Sequence, residues 1–258
     1  MKYDHISVVI PCYREEEVIR NNIIEVHDYL LGQFSRHEIV VVTDGSPDRT
    51  PDIVESLKRD RPDIPLVHIR FDQNRGKGAA VKRGVFAATY DPILYLDADL
   101  TIPITELDEF MPAIRHADIV IASRLAPGAW LEEPTPWHRV IMARGFHLLQ
   151  IFLLGNFEFS DTQCGFKLFR KPTARLLFEK LTIDRFAFDA ELLFLARRYD
   201  RRVAILPVSV RKDPRNTNVR IIRDPLDMFL ALLRIRFNAW SGRYPNAVFP
   251  HSKKYHSE

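Results

Sequence analysis

Five short runs of β-branched and aliphatic residues recur along the first 121 residues of the chain. They are Ile6-Ser7-Val8-Val9-Ile10, Glu38-Ile39-Val40-Val41-Val42, Leu66-Val67-His68-Ile69, Ile93-Leu94-Tyr95-Leu96 and Asp118-Ile119-Val120-Ile121, and their starts lie 32, 28, 27 and 25 residues apart. That interval is the size of one strand-helix-strand unit. The runs are apolar throughout rather than alternating, as strands covered on both faces require. Between the first two runs, Val18, Ile19, Ile23, Val26, Tyr29 and Leu30 keep a helical spacing, and the third crossover carries Ala79, Ala80, Arg83, Ala87 and Ala88 after a glycine-bearing turn. The pattern predicts an α/β fold, Rossmann-like, with a mainly parallel sheet flanked by helices. After Arg124 the rhythm breaks at Pro127, Pro134 and Pro136. A long apolar helix is expected from about 139 to 154, a strand at 203–206, and a last helix from Asp224-Pro225 to about Trp240, where the proline suits the first helical turn.

Of the 258 residues, 46% are apolar and 28% charged, which excludes a disordered chain. Two cysteines, Cys12 and Cys164, exclude a disulfide scaffold or a cysteine-rich zinc module and fit a reducing compartment. The nine histidines form no metal-like cluster in the sequence. Met1 runs almost directly into the first strand, so no signal peptide is expected, and no uncharged apolar run reaches the roughly 18 residues that suggest a bilayer span. Residues 201–258 hold 12 Lys and Arg against 4 Asp and Glu, although the whole chain is only +3. A basic tail on an acidic body suits an anionic surface, or is simply solvated. The basic residues lack the interleaved aromatics that stack on single-stranded nucleic acid, so no nucleic-acid partner is expected.

In an open parallel sheet, ligands bind beyond the carboxyl ends of the strands. The first four runs end in Pro11-Cys12-Tyr13-Arg14-Glu15-Glu16, Thr43-Asp44-Gly45-Ser46, Asn74-Arg75-Gly76-Lys77-Gly78 and Asp97-Ala98-Asp99. Parallel strands would bring all four to one cleft. Turn chemistry accounts for Asp44-Gly45-Ser46-Pro47, but not for two acids closing an apolar strand. Like charges so close repel unless a cation lies between them, and paired oxygen ligands suit Mg²⁺ or Mn²⁺. Gly76-Lys77-Gly78 is no Walker loop, since Ala79 stands where the hydroxyl should be, and Val81 spoils a dinucleotide fingerprint. Its glycines suit close backbone approach, with Lys77 or Arg75 offering charge to a phosphate.

These four segments, in order, resemble the family 2 glycosyltransferases of the GT-A fold. Val9-Ile10-Pro11-Cys12-Tyr13-Arg14-Glu15-Glu16 is similar to their V-I-P-x-Y-N-E-E, Val42 to Thr50 to V-D-D-G-S-x-D-x-T, Asn74 to Ala80 to N-x-G-K-G-x-A, and Asp97-Ala98-Asp99 to D-x-D. Ser123-Arg124, Asp161-Thr162-Gln163-Cys164-Gly165-Phe166-Lys167-Leu168-Phe169 and Phe188-Asp189-Ala190-Glu191-Leu192 resemble the dolichyl- and polyprenyl-phosphate sugar synthases, the glucosyl branch most. The resemblance implies that Pro11, Tyr13, Glu15, Asp44, Lys77 and Asp97 bind the nucleotide-sugar. Asp99, with Asp97, would hold Mg²⁺ or Mn²⁺, and Arg124, Arg139 and Arg220 would take the acceptor phosphate. Asp97, Asp99, Asp189 and Glu191 are the implied catalytic set, although Asp189 and Glu191 suit sugar positioning or helix capping equally. Thr43, Thr101 and Thr217-Asn218 depart from the family pattern.

The activity so implied is inverting transfer of a hexose, with UDP-glucose the first choice of donor, to polyprenyl or dolichyl phosphate. A phosphate monoester, with a second pKa of about 6, arrives largely ionised and needs no general base. A GDP-mannose donor, a hydroxyl acceptor, and a non-catalytic nucleotide-binding module are the competing readings. The expected organisation is a GT-A catalytic domain over 1–210 and a basic, amphipathic extension over 211–258 that associates with a membrane. The helices at 140–154 and 225–240 read either as core or as interfacial elements. The expected location is peripheral, on the cytoplasmic face of a membrane, which leaves room for a separate membrane-protein partner.

Overall fold

The structure is a computed structural model that describes residues 3–134, 136–212 and 223–245; the side chains of Tyr3, His138, Arg139 and 223–225 lie outside the description. Its elements are β1 (Tyr3–Cys12), α1 (Ile19–Gln33), β2 (Phe34–Asp44), α2 (Thr50–Asp60), β3 (Leu66–Phe71), α3 (Lys77–Ala87) and β4 (Ile93–Leu96). A 3-10 turn at Ile104–Glu106 leads into α4 (Leu107–Ala113), followed by β5 (Ile119–Ser123), β6 (Trp130–Leu131), α5 (Trp137–Leu154) and β7 (Phe166–Phe169). The chain continues through α6 (Lys171–Lys180), α7 (Phe188–Arg198), β8 (Val203–Pro207), β9 (Ser209–Val210) and α8 (Arg223–Trp240).

Seven strands form the main sheet in the order β3-β2-β1-β4-β7-β5-β8, and β6 pairs with β9 in a small second sheet. All pairs in the main sheet are parallel except those of β7, which runs antiparallel between β4 and β5. Both faces are covered, which is why the strands read as unbroken apolar runs. On one face Ile6, Val8, Ile10, Ile39, Val41 and Leu94 pack under α1, α2 and α4. On the other, Val9, Val40, Val42, Tyr95 and Ile121 pack under α3, α6 and α7. Each such aliphatic side chain removed from water contributes about 1.5–3 kcal/mol. Gly84 lets α3 lie directly on β1, since a Cβ there would overlap the Val9 side chain.

The antiparallel β7 was not foreseen as a strand, and it matters for the site. Because Leu96 pairs with Phe166, the start of β7 lies at the same sheet edge as the carboxyl ends of β1, β2, β3 and β4. Asp97 N–H donates to the Gly165 carbonyl at 2.9 Å. The 161–169 segment therefore joins the four motif loops at one edge. Helix α8 packs on α5 and α7, with Leu232, Ile235 and the following Tyr244 buried in the second core layer.

Candidate active site

The loops after β1 and β2 are clasped together. Arg14 and Glu15 donate their backbone N–H groups to Ser46 Oγ (3.0 Å) and Thr50 Oγ1 (2.8 Å), and Arg49 N–H donates to Glu16 Oε2 (3.0 Å). Asp48 accepts from the Thr50 N–H and hydroxyl at the start of α2, the role its turn chemistry suggests. Pro11 is buried at the strand end, Glu15 is half-buried, and the Tyr13 ring stands open to solvent beside the Arg14 guanidinium. An exposed ring above the sheet edge is a surface on which a base can stack.

Asp44 is almost wholly buried, and its carboxylate is given to the protein itself. Its two oxygens accept from Arg75 N–H (2.7 Å) and Gly76 N–H (2.8 Å), fixing the loop that leads into α3. The glycines of that loop answer to the protein as well. Gly76 (φ 109°) lies against the Asp184 carbonyl and Gly78 against the Phe188 side chain, so neither has room for a Cβ. Their close approach is to the 183–188 segment, where the sequence suggested a phosphate. The result is that Lys77, the first residue of α3, is aimed at the end of β4.

There the charges converge. Lys77 Nζ lies 2.8 Å from Asp97 Oδ1 and 3.0 Å from Oδ2, and the Tyr95 hydroxyl donates to Oδ1 at 3.1 Å. Burial alone would lower the Lys77 pKa, but Asp97, Asp189 and Asp99 together hold it above its ordinary value. Asp99 Oδ1 accepts from the Thr101 N–H (3.0 Å) and hydroxyl (3.1 Å), the residue that departs from the family pattern. Burial, and then the Asp97 charge, raise the Asp99 pKa. Gly165 is obligatory, because a Cβ at that position would fall inside the Asp97 carboxylate.

Beneath Tyr95 is a second ion pair. Lys167, fully buried, donates to Asp189 Oδ1 and to the Cys164 carbonyl, each at 2.6 Å. Both lysines lie over the Tyr95 ring, Lys77 at 5.6 Å and Lys167 at 5.7 Å from its centroid. Burial raises the Asp189 pKa, and Lys167 and Lys77 pull against it. Tyr95 and Lys167 were not among the expected site residues. The signal was a lysine inside an otherwise apolar strand, Phe166-Lys167-Leu168-Phe169, facing a tyrosine inside another. Cys164 is buried, its thiol pushed up to about 12 by burial, which suits packing and not chemistry.

Arg124 is held in a fork by Asp161, Nε to Oδ2 and the terminal NH2 to Oδ1, both at 2.8 Å. Burial would raise the Asp161 pKa, yet the Arg124 hydrogen bonds and charge keep it below the usual carboxylate range. The arginine side chain remains 42% exposed, so it is anchored and presented at once. Asp97, Thr101, Arg124, Gln163 and Gly165 line one recess. Glu191 is not part of this cluster. Its buried carboxylate accepts from Thr182 N–H and Oγ1, from Ile183 N–H and from the Tyr244 hydroxyl. The Arg139 side chain and all of Arg220 lie outside the described residues, as does Thr217-Asn218.

Asp97 and Asp99 fit a divalent cation as hard oxygen donors whose mutual repulsion a cation would relieve. Among the described residues no group of three or more His, Cys, Asp and Glu side chains is placed to hold a metal. The remaining ligands would be water or substrate oxygens.

The glycosyl transferase family 2 model matches residues 7–177. The chain belongs to glycosyl transferase family 2. This glycosyltransferase is 34% identical over 249 residues to "Dolichyl-phosphate beta-glucosyltransferase ALG5C" of Trichomonas vaginalis, a match over 91% of this chain and 73% of that protein. It is 31% identical over 251 residues to the dolichyl-phosphate beta-glucosyltransferase of Dictyostelium discoideum, over 90% of this chain and 74% of that one. Among solved structures, the glycosyltransferase is similar to glucosyl-3-phosphoglycerate synthase from Mycobacterium tuberculosis in complex with Mn²⁺, UDP-glucose and phosphoglyceric acid. That likeness has a TM-score of 0.63 at 17% identity, over 91% of this chain and 80% of that one. Mannosyl-3-phosphoglycerate synthase from Rubrobacter xylanophilus gives 0.64 at 17%, over 93% and 75%. The fold is GT-A.

Proposed function

We propose that this glycosyltransferase moves glucose from UDP-glucose to dolichyl or polyprenyl phosphate, inverting the anomeric carbon. The observation that carries the reading is a recess that Asp97 and the anchored Arg124 line together, in a chain about one-third identical to dolichyl-phosphate beta-glucosyltransferases. Tyr13 offers its open ring to the base, with Pro11, Glu15 and Asp44 shaping the pocket around it. The Lys77 ammonium lies where the charge of a departing diphosphate would gather. A Mg²⁺ or Mn²⁺ held by Asp99, with Asp97 beside it, would supply further positive charge toward that leaving group. Arg124 presents guanidinium donors suited to a phosphate, and Arg139 and Arg220 join it on the family resemblance alone.

Transfer to a hydroxyl calls for a carboxylate free to take a proton. Asp189, one of the acids the family resemblance implies in catalysis, is buried against Lys167, which favours an acceptor that arrives ionised. We assign the catalytic domain to 1–210 and the basic extension to 211–258. No helix among the described residues is long and apolar enough to cross a membrane. Yet α5 and α8, packed together, leave large apolar side chains in solvent, among them Trp137, Ile141, Phe152 (88% exposed), Phe237 and Trp240. We read these as a peripheral contact with the cytoplasmic face of a membrane, where two buried free thiols also fit. Flotation with anionic liposomes at low salt tests this, and protein that stays at the bottom refutes it.

The decisive assay is transfer of labelled sugar into organic-extractable lipid, with UDP-glucose or GDP-mannose and Mg²⁺ or Mn²⁺. UDP-glucose should label the lipid, and Asp99→Asn should abolish the label. Label from GDP-mannose alone would change the donor, and metal-dependent hydrolysis without lipid product would move the acceptor to a hydroxyl.

A further inference from the structure

We propose that Lys77 closes the Asp97 carboxylate to divalent cations until a nucleoside diphosphate draws the ammonium away, so that metal and donor enter together rather than metal first. The inference rests on the nucleotide-sugar reading above and adds an order of binding to it.

One ammonium spans both oxygens of Asp97, at 2.8 and 3.0 Å, and the Tyr95 hydroxyl takes a third contact on Oδ1. The carboxylate that family resemblance gives to a metal is thus already neutralised. A divalent ion approaching it meets the Lys77 charge at close range in a largely buried setting, where repulsion is poorly screened. Asp99 by itself offers only one carboxylate to the ion, and its Oδ1 is already shared with the Thr101 N–H and hydroxyl. With no third acid, His or Cys in place among the described residues, the ion lacks a protein-only cage. Mg²⁺ and Mn²⁺ in such sites draw ligands from substrate phosphates. A diphosphate supplies those oxygens and, in the same act, an alternative partner for Lys77.

The geometry allows the lysine to move without the helix. The backbone around it is fixed: Gly76 and Gly78 are wedged against 183–188, and Ala79 N–H donates to the Asp184 carbonyl at 3.1 Å. The Lys77 side chain is still 23% exposed, so its flexible stem can swing toward the cleft while the Asp97 backbone stays bonded to the Gly165 carbonyl. The exchange is one of ion pairs only: the Lys77 ammonium would leave the Asp97 carboxylate for a phosphate oxygen, and the Asp97 edge so released would be open to a divalent cation beside Asp99.

Binding of Mn²⁺ to the full chain, followed by loss of the free-ion electron paramagnetic resonance signal, tests the proposal. Wild-type protein should bind Mn²⁺ at least tenfold more tightly with UDP than without it. Lys77→Met and Lys77→Gln should bind Mn²⁺ without UDP at least tenfold more tightly than wild type, and Lys77→Arg should keep the nucleotide requirement. Equal Mn²⁺ affinity with and without UDP in the wild type overturns the proposal. So do neutral variants that match the wild type without UDP, or a Lys77→Arg variant that behaves like them. Failure to bind Mn²⁺ with either UDP or GDP would instead overturn the donor reading itself.

Discussion

At the scale of single residues, the site is governed by how little room surrounds Asp97. Its carboxylate is bounded by Lys77, Tyr95 and Gly165, and the glycine is there because no side chain fits. Gly165→Ala should therefore push Asp97 off its position by about a bond length, lower kcat/KM for sugar transfer about 100-fold and lower the melting temperature as the Asp97 bonds to Lys77 and Tyr95 are strained. Steady-state kinetics beside a thermal melt check both halves. The acids were legible in the sequence because packing cannot explain two carboxylates closing an apolar strand. Tyr95 and Lys167 were not, because each sits inside an apolar run and reads as core. Only strand pairing, which sets Tyr95 opposite Lys167, and a partner 22 positions away at Asp189 reveal their charge pattern.

At the scale of elements, α8 is tied to the body of the domain by a polar knot. Glu191 on α7 gathers Thr182, Ile183 and Tyr244, and Asn238 on α8 adds a bond to Thr182 Oγ1 at 3.0 Å. Burial, and then Glu191, raise the Tyr244 phenol above its ordinary pKa, so the hydroxyl stays protonated as a donor. Tyr244→Phe removes a hydrogen bond to a buried carboxylate and should cost about 2 kcal/mol of stability, read from urea unfolding midpoints. The two long helices expected at 139–154 and 225–240 lie inside α5 and α8, and five of the six expected strands lie inside β1, β2, β3, β4 and β8, while the run expected from Asp118 enters β5 one residue later, at Ile119. The short β6, β7 and β9 escaped notice: β6 and β9 have only two residues each, and Lys167 interrupts the apolar run of β7. β2 begins at Phe34 rather than 38 because α1 runs into it without an intervening turn.

For the whole molecule, acid stability should follow a histidine at the opposite end of β2 from the site. His37, at the start of β2, shares a 2.9 Å hydrogen bond with His27 of α1, whose other nitrogen lies 3.7 Å from Asp63. Burial, then the neighbouring His27, lower the His37 pKa from 6.5 to about 4. The unfolded chain takes up a proton below 6.5 that the native state refuses down to about 4. Stability is therefore complete above pH 6.5 and declines as the pH falls through that window, by about 3 kcal/mol in all. Urea midpoints between pH 7 and 4 should show this slope, and His37→Gln should flatten it. The fold class was legible because both faces of the sheet are covered and the sequence had to say so. The location of the antiparallel strand was not, since it depends on where the chain returns after a long excursion.

That excursion leaves the sheet at Arg124 and comes back at Asp161, and the forked bond between those two residues spans 37 positions. It works as a staple at the mouth of a cassette. Within the cassette lie β6 and the exposed apolar helix α5; outside it lie the residues proposed to hold the donor. Because the staple fixes both entry and exit, the contents can lengthen, shorten or be exchanged while the strand ends on either side stay where they are. On the proposed division of donor and acceptor residues, such a scaffold would vary its acceptor as an interchangeable part and keep one unaltered machine for the sugar.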